Sequence, residues 1–194
     1  QVYLQGLIVL CAYTAFKGSD DFAQIAVDGW GMDAVEAASV GTLSFWVRPI
    51  AALGAGLLSD RVRGSWVLLV CFGALVVCDG LVWLGALPTD VPMALFVMVV
   101  ATSAFTYAMR GVYFAIFDEA KVPMAVTGTA VGVVSFLGYT PDIFFGPLMG
   151  ALLDGTPGIA GHQQLFGALA LFALLGAAAS AAFSWVAGRA PAPA

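Results

Sequence analysis

Charge is what this sequence has least of. Only 10% of its 194 residues are Asp, Glu, Lys or Arg, where a soluble domain carries roughly a quarter. That is too little to solvate a water-facing surface. With 61% hydrophobic residues and a mean hydropathy of +0.98, the chain reads as an integral membrane protein. Positive charge is scarcest: 7 Lys and Arg against 12 Asp and Glu give a net charge of −5, the opposite of the basic surface of a nucleic-acid binder. A single histidine, His162, excludes a histidine-rich metal site and the H-E-x-x-H pattern of a metalloprotease. The three cysteines, Cys11, Cys71 and Cys78, lie in apolar runs without metal-ligand spacing and read as core filler. There is no G-x-S-G serine motif and no G-x-x-x-x-G-K-[ST] loop, so neither an intramembrane serine protease nor a nucleotide-driven pump is expected. The chain is read as a non-enzyme with no cofactor and no metal.

What the sequence does contain is apolar length. A helix needs about 20 apolar residues to cross a bilayer, and six such stretches occur, at 2–22, 35–59, 66–87, 92–117, 122–153 and 165–187. Their continuity excludes a β-barrel, whose strands are short and alternate. The expected fold class is therefore an all-α integral membrane bundle of six transmembrane helices.

Loop charges set an expected orientation. One side carries Asp60, Arg61, Arg63, Asp118, Glu119 and Lys121, with Arg189 in the tail. The other carries Asp20, Asp21, Asp28, Asp33, Glu36, Asp90, Asp154 and His162, and Lys17 at a helix end is its only cation. The positive-inside rule assigns the first side, and both Gln1 and Ala194, to the cytoplasm of a plasma (inner) membrane.

Charges within the spans point to a function. A charge at mid-bilayer costs at least about 2.5–3.5 kcal/mol, so those retained face a cavity or a partner. Arg48 lies halfway along the second stretch, Arg110 in the fourth and Asp142 in the fifth. At helical spacing Ser103, Thr106, Arg110 and Tyr113 share one face, Ser135, Tyr139 and Asp142 another, and Tyr13, Lys17, Asp20 and Gln24 a third. Three polar stripes on apolar helices imply a common aqueous cavity, while an internal salt bridge from Arg48 or Arg110 to Asp142 is the structural alternative. Two arginines against one central carboxylate leave a positive surplus that a bound anion can neutralise bidentately. Asp79 has only Leu75, Val76, Val82 and Trp83 at helical spacing and is assigned to packing or to the interface. Gly128/Gly132 and Gly146/Gly150, like Ala51, Ala52, Ala55 and Gly56, have the small-residue spacing that lets helix backbones approach. Pro141 breaks the backbone ladder beside Asp142.

The run from Gly56 through Leu57, Leu58, Ser59, Asp60, Arg61, Val62 and Arg63 to Gly64 resembles the G-x-L-x-D-R-x-G-R loop of the major facilitator superfamily. The family carries that loop between its second and third helices and, in weaker form, between its eighth and ninth. Arg63-Gly64 stands where the family pattern has Gly then Arg, as suits the second copy. The resemblance thus implies that 1–194 is the C-terminal transmembrane half, with a missing N-terminal six-helix half as its partner in a roughly 400-residue protein. A second stretch, with Arg110-Gly111, Tyr113, Glu119, Pro123, Thr127-Gly128, Gly138-Tyr139 and Pro141-Asp142, is similar to bacterial porters of nitrate/nitrite or sugar acids. The resemblance implies that the first, second, fourth and fifth stretches line the central cavity and the other two face outward.

The expected function is secondary active transport of a small solute, in all expectation an organic anion, by alternating access with proton coupling. Arg48, Arg110, Tyr113, Thr106, Tyr139, Tyr13 and Lys17 are the expected substrate-binding residues. Asp142 is the expected proton carrier, and Gly56, Asp60 and Arg61 form the cytoplasmic loop motif. The competing reading is a six-helix scaffold or accessory subunit, which accounts for the helices but not for the polar stripes.

Overall fold

The computed structural model describes residues 1–188. Arg189 and Ala194, which entered the orientation argument, lie outside the described residues. The described chain is helical: α1 (Val2–Gly18), a 3-10 turn (Ser19–Asp21), α2 (Phe22–Trp30), α3 (Ala34–Ser59), α4 (Gly64–Trp83), α5 (Pro92–Val112), α6 (Ile116–Glu119), α7 (Met124–Gly138), α8 (Pro141–Gly155) and α9 (Ile159–Ala187).

Five helical units are long and apolar enough to cross a membrane: α3, α4, α5, α7 with α8, and α9. The expected six spans thus become five long ones and a shorter first helix. The 17 residues of α1 reach about 26 Å at 1.5 Å per residue, slightly less than the hydrocarbon core. The 3-10 turn interrupts the first stretch before its expected end and hands the chain to α2. The fourth stretch also ends early, at Val112, with α6 a separate turn beyond it.

Local chemistry explains several boundaries. Asp33 opens α3 with a capping box: its carboxylate accepts from the Val35 and Glu36 amides at 2.8 Å, and Glu36 reaches back to the Asp33 amide. Glu119 performs the same service for α4 from a distance, accepting from the Ser65 amide at 2.8 Å and the Ser65 hydroxyl at 2.7 Å. Arg63 bridges Glu119 at 3.3 Å and donates to the Ser184 carbonyl near the end of α9 at 3.2 Å. This clasp joins three elements at one end of the bundle.

The fifth stretch is broken in two, and proline is the cause. The Leu137 carbonyl has lost the donor that residue 141 normally supplies, because Pro141 has no N–H. The Thr140 hydroxyl substitutes for it at 2.7 Å. Proline is accommodated as the first residue of α8, and Asp142 consequently sits in the first turn of a new helix.

α1 runs against α9, α7, α5 and α8, α4 packs chiefly on α9, and α3 chiefly on α5. Two apolar clusters fill the bundle: one contains Phe72, Met109, Ile116 and Phe183, the other Phe22, Leu95, Phe145 and Phe166. The small residues that allow close approach are not all the expected ones. Nothing lies within 4 Å of a side chain built at Gly56, Gly128, Gly132, Gly146 or Gly150, so within this chain those glycines face open surface. Close contact occurs instead at Gly176, where the Phe72 ring lies, at Gly138 against Val9, and at Gly111, where a Cβ stands 2.8 Å from the Ala52 carbonyl oxygen. Gly111 therefore sets how near α5 comes to α3. Gly111→Val should lower stability by roughly 1–3 kcal/mol, since the clash is with backbone and cannot be relieved by a rotamer. Thermal unfolding in detergent checks this, and an unchanged melting point would mean that α3 shifts freely.

α3 presents Trp46, Ile50, Leu53 and Leu57 to the outside as a single helical stripe, and Phe136 and Ile143 are similarly exposed on α7 and α8. These apolar faces need lipid or a further protein surface to cover them.

Candidate functional site

The two arginines meet around one ring. α3 and α5 approach at Ala52 and Gly111, and Arg48 and Arg110 both lie over the α1 residue Phe16. The Arg110 guanidinium lies 4.1 Å from the Phe16 centroid and 5.4 Å from that of Tyr13. The Arg48 guanidinium lies 4.7 Å from Tyr107, 4.8 Å from Phe45 and 5.9 Å from Phe16. It donates to the Tyr107 hydroxyl at 2.9 Å, and Ser44 lies 3.3 Å from that same hydroxyl. Aromatic faces attract a cation electrostatically without neutralising it.

Phe16, Arg48, Ala52, Tyr107, Arg110 and Gly111 enclose a cavity of about 210 Å³. Among the described residues neither arginine pairs with a carboxylate. Nε of Arg48 and one terminal nitrogen of Arg110 are buried without a hydrogen-bond acceptor. The salt bridge to Asp142 that the sequence left open is not made. A larger groove of about 700 Å³ runs between α3, α4 and α5, but its lining, which includes Leu58, Trp66 and Phe105, offers no ionic group.

Asp142 has other partners. It accepts from the Tyr13 hydroxyl at 2.9 Å and lies 3.8 Å from the Lys17 ammonium, which in turn holds Asp20 at 3.1 Å. Its place in the first turn of α8 adds the favourable field of a helix N-terminus to these contacts. The Tyr139 ring meets the Tyr13 ring edge-on at 4.8 Å, and the Tyr113 hydroxyl meets that of Tyr139. Tyr13, Lys17, Tyr139 and Asp142 thus form a second polar group, joined to the arginines through Tyr13.

Two sequence expectations need correction, and a third, for Asp79, is narrowed. On α5 the cavity face is Tyr107, Arg110 and Gly111; Thr106 and Ser103 are buried in packing, their hydroxyls without partners. Asp79 takes the packing alternative: it is 1% exposed, with Oδ1 unpartnered. His162 is not a loop residue but a buried member of the first turn of α9, between Asp21 and Asp28. Asp60 and Arg61 are exposed beside a cleft they form with Gly54, Leu57 and Leu58, whereas Gly56 does not line it. Two cavity residues were missed, Phe16 and Tyr107. Each lies three residues from a chosen one, Tyr13 and Arg110, and so shares its helix face.

Long apolar helices enclosing unneutralised charge define a helical, multi-pass membrane protein. Comparison with known proteins gives the same class. The chain is 35% identical over 128 residues to the inner membrane protein YihN of Escherichia coli (strain K12), an alignment covering 64% of this chain and 30% of YihN. It is 37% identical over 60 residues to the inner membrane protein YqcE of the same organism, covering 31% of this chain and 14% of YqcE. The chain therefore matches less than a third of the length of either relative. No family model and no solved structure matches it.

Proposed function

We propose that this chain is the C-terminal six-helix half of a secondary transporter of the inner membrane, similar to the major facilitator superfamily, and that it carries a small organic anion such as a sugar acid or a sulfonate. The observation that carries this reading is the pair of guanidinium groups held over Phe16, Phe45, Tyr13 and Tyr107 with no carboxylate between them. Both arginines are half-buried with one nitrogen left without an acceptor. An unmade hydrogen bond of that kind is costly, and an anion between them relieves the cost. A scaffold has no use for such a pair.

The cavity supports a half-site. At about 210 Å³ it is smaller than the roughly 300–1,000 Å³ of most ligand pockets, as fits a site completed by another six-helix half. That half would cover the apolar stripe on α3 and the exposed faces of α7 and α8. Asp60 and Arg61 would meet it at the cytoplasmic end, where a carboxylate favours a helix N-terminus. Transport then proceeds by alternating access, one half rocking on the other, with Asp142 taking up and releasing the coupled proton.

Uptake of small carboxylates and sulfonates by the full-length protein in proteoliposomes tests the proposal. Arg48→Lys should cut uptake at least about tenfold, because an ammonium cannot contact an anion bidentately while it stacks on Tyr107. Uptake confined to neutral or cationic solutes would refute the anion assignment.

A further inference from the structure

We propose that His162, Asp21 and Asp28 form a proton-binding site that ties the α1–α2 corner to the start of α9. Nδ1 of His162 lies 2.7 Å from Asp21 Oδ2, and Nε2 lies 3.0 Å from Asp28 Oδ2. The His162 and Asp21 side chains are each 1% exposed, and that of Asp28 is 34% exposed. The second oxygen of Asp21 is buried with no partner.

The chemistry follows from counting protons. A neutral imidazole has one N–H and one lone pair. With a carboxylate oxygen in hydrogen-bond contact with each ring nitrogen, a neutral ring leaves one lone pair facing another. One added proton removes the conflict: the ring then donates on both sides, and the cluster changes from two negative charges to one. The ligand is that proton. A metal ion does not fit, because the two ring nitrogens point away from each other and cannot share one ion with both carboxylates. Among the described residues no three His, Cys, Asp or Glu side chains are placed to hold a metal.

Surrounding charges leave the cluster to itself. On α1 and the 3-10 turn, Lys17 and Asp20 pair with each other. On α3, Asp33 and Glu36 are engaged in their capping box. Asp154 on α8 is exposed, and the end of α4 offers the Trp83 indole. The cluster's effect on shape comes from where its members sit. α2 packs mainly on α3 and only lightly on α9, so the contact through His162 adds a polar tie to the apolar cluster that Phe22 and Ile25 share with Leu165 and Phe166. Loss of the proton sets two carboxylates and a lone pair against one another and weakens the hold of α9 on α2.

His162 is the only histidine of these 194 residues, so nitrogen NMR of the 15N-histidine-labelled full-length protein in lipid nanodiscs, with the His162→Gln variant to assign its signal, reads its ring. Burial opposes the charged ring, and the Asp21 and Asp28 contacts outweigh it. Titration from about pH 5 to 10 should therefore show the ring doubly protonated above the ordinary histidine midpoint of about 6.5, then losing its proton. Asp21→Asn should weaken proton binding at least about tenfold, one pH unit; should that variant not fold, Asp28→Asn carries the same comparison with a smaller shift. A ring unchanged across the range, a midpoint like that of free histidine, or a midpoint that neither substitution moves would overturn the proposal. At one fixed pH, His162→Gln should raise hydrogen exchange over residues 22–30, and unchanged exchange there would overturn the tie between α2 and α9. None of these measurements involves transport, so their failure and that of the anion reading are separable.

Discussion

Arg110→Met should lower anion uptake by the full-length protein about 100-fold while raising, not lowering, its thermal stability. The loss follows from removing a charge-assisted partner of the anion, worth roughly 2–5 kcal/mol in a desolvated contact. The gain follows from the empty state. One terminal nitrogen of Arg110 is buried without an acceptor, and an unsatisfied donor of that kind costs about 1–3 kcal/mol that an apolar side chain of similar length does not incur. The stacking on Phe16 and Tyr13 that methionine gives up offsets part of this. A net gain of about 1 kcal/mol corresponds to a rise of about 1–2 °C for a protein of roughly 400 residues. The opposed signs are the diagnostic. An arginine that merely ties helices together would lose stability with its removal, so a lower melting point with uptake unaffected would reject the binding role.

Asp142→Asn should abolish accumulation driven by a proton gradient while leaving exchange of labelled for unlabelled anion near its original rate. An amide accepts the Tyr13 hydroxyl as a carboxylate does but cannot carry a proton through the cycle. Lys17 loses one neighbour and keeps Asp20, 3.1 Å away, so the local geometry should survive. Parallel counterflow and pH-jump assays on the same vesicles make the distinction. Retained pH-driven accumulation would place the coupling proton elsewhere and leave Asp142 as a fixed counter-ion for Lys17.

The features that proved legible in the sequence were the local ones. Apolar runs of bilayer length are written continuously in the chain, so α3, α4, α5 and α9 follow almost directly from composition. The discontinuity between α7 and α8 was equally visible, because a proline lacks its donor in any context. The arginine cavity was legible in part. Arg48 and Arg110 stand out by their cost in an apolar helix, but their meeting depends on the approach of Gly111 to Ala52, a contact between helices that no periodicity encodes. Phe16 and Tyr107 passed unnoticed because aromatic side chains are ordinary filler in such helices, and only their position beneath a guanidinium gives them a role. His162 was misread for the same reason: its partners are 141 and 134 residues away in sequence. A local reading saw one imidazole beside a loop, and the cluster exists only in the folded bundle.

The aromatic bedding of Arg48 and Arg110 has a kinetic corollary. Guanidinium stays charged at any physiological pH, and among the described residues neither arginine is paired with a carboxylate. Such a site has no chemical off-switch. Its grip is strong while the surroundings are poorly polarisable and fades as water raises the local dielectric constant, since attraction between charges scales inversely with that constant. For the anion proposed to bind there, flooding of the cavity would itself be the unloading event, and its residence time would be governed by how quickly solvent reaches Phe16.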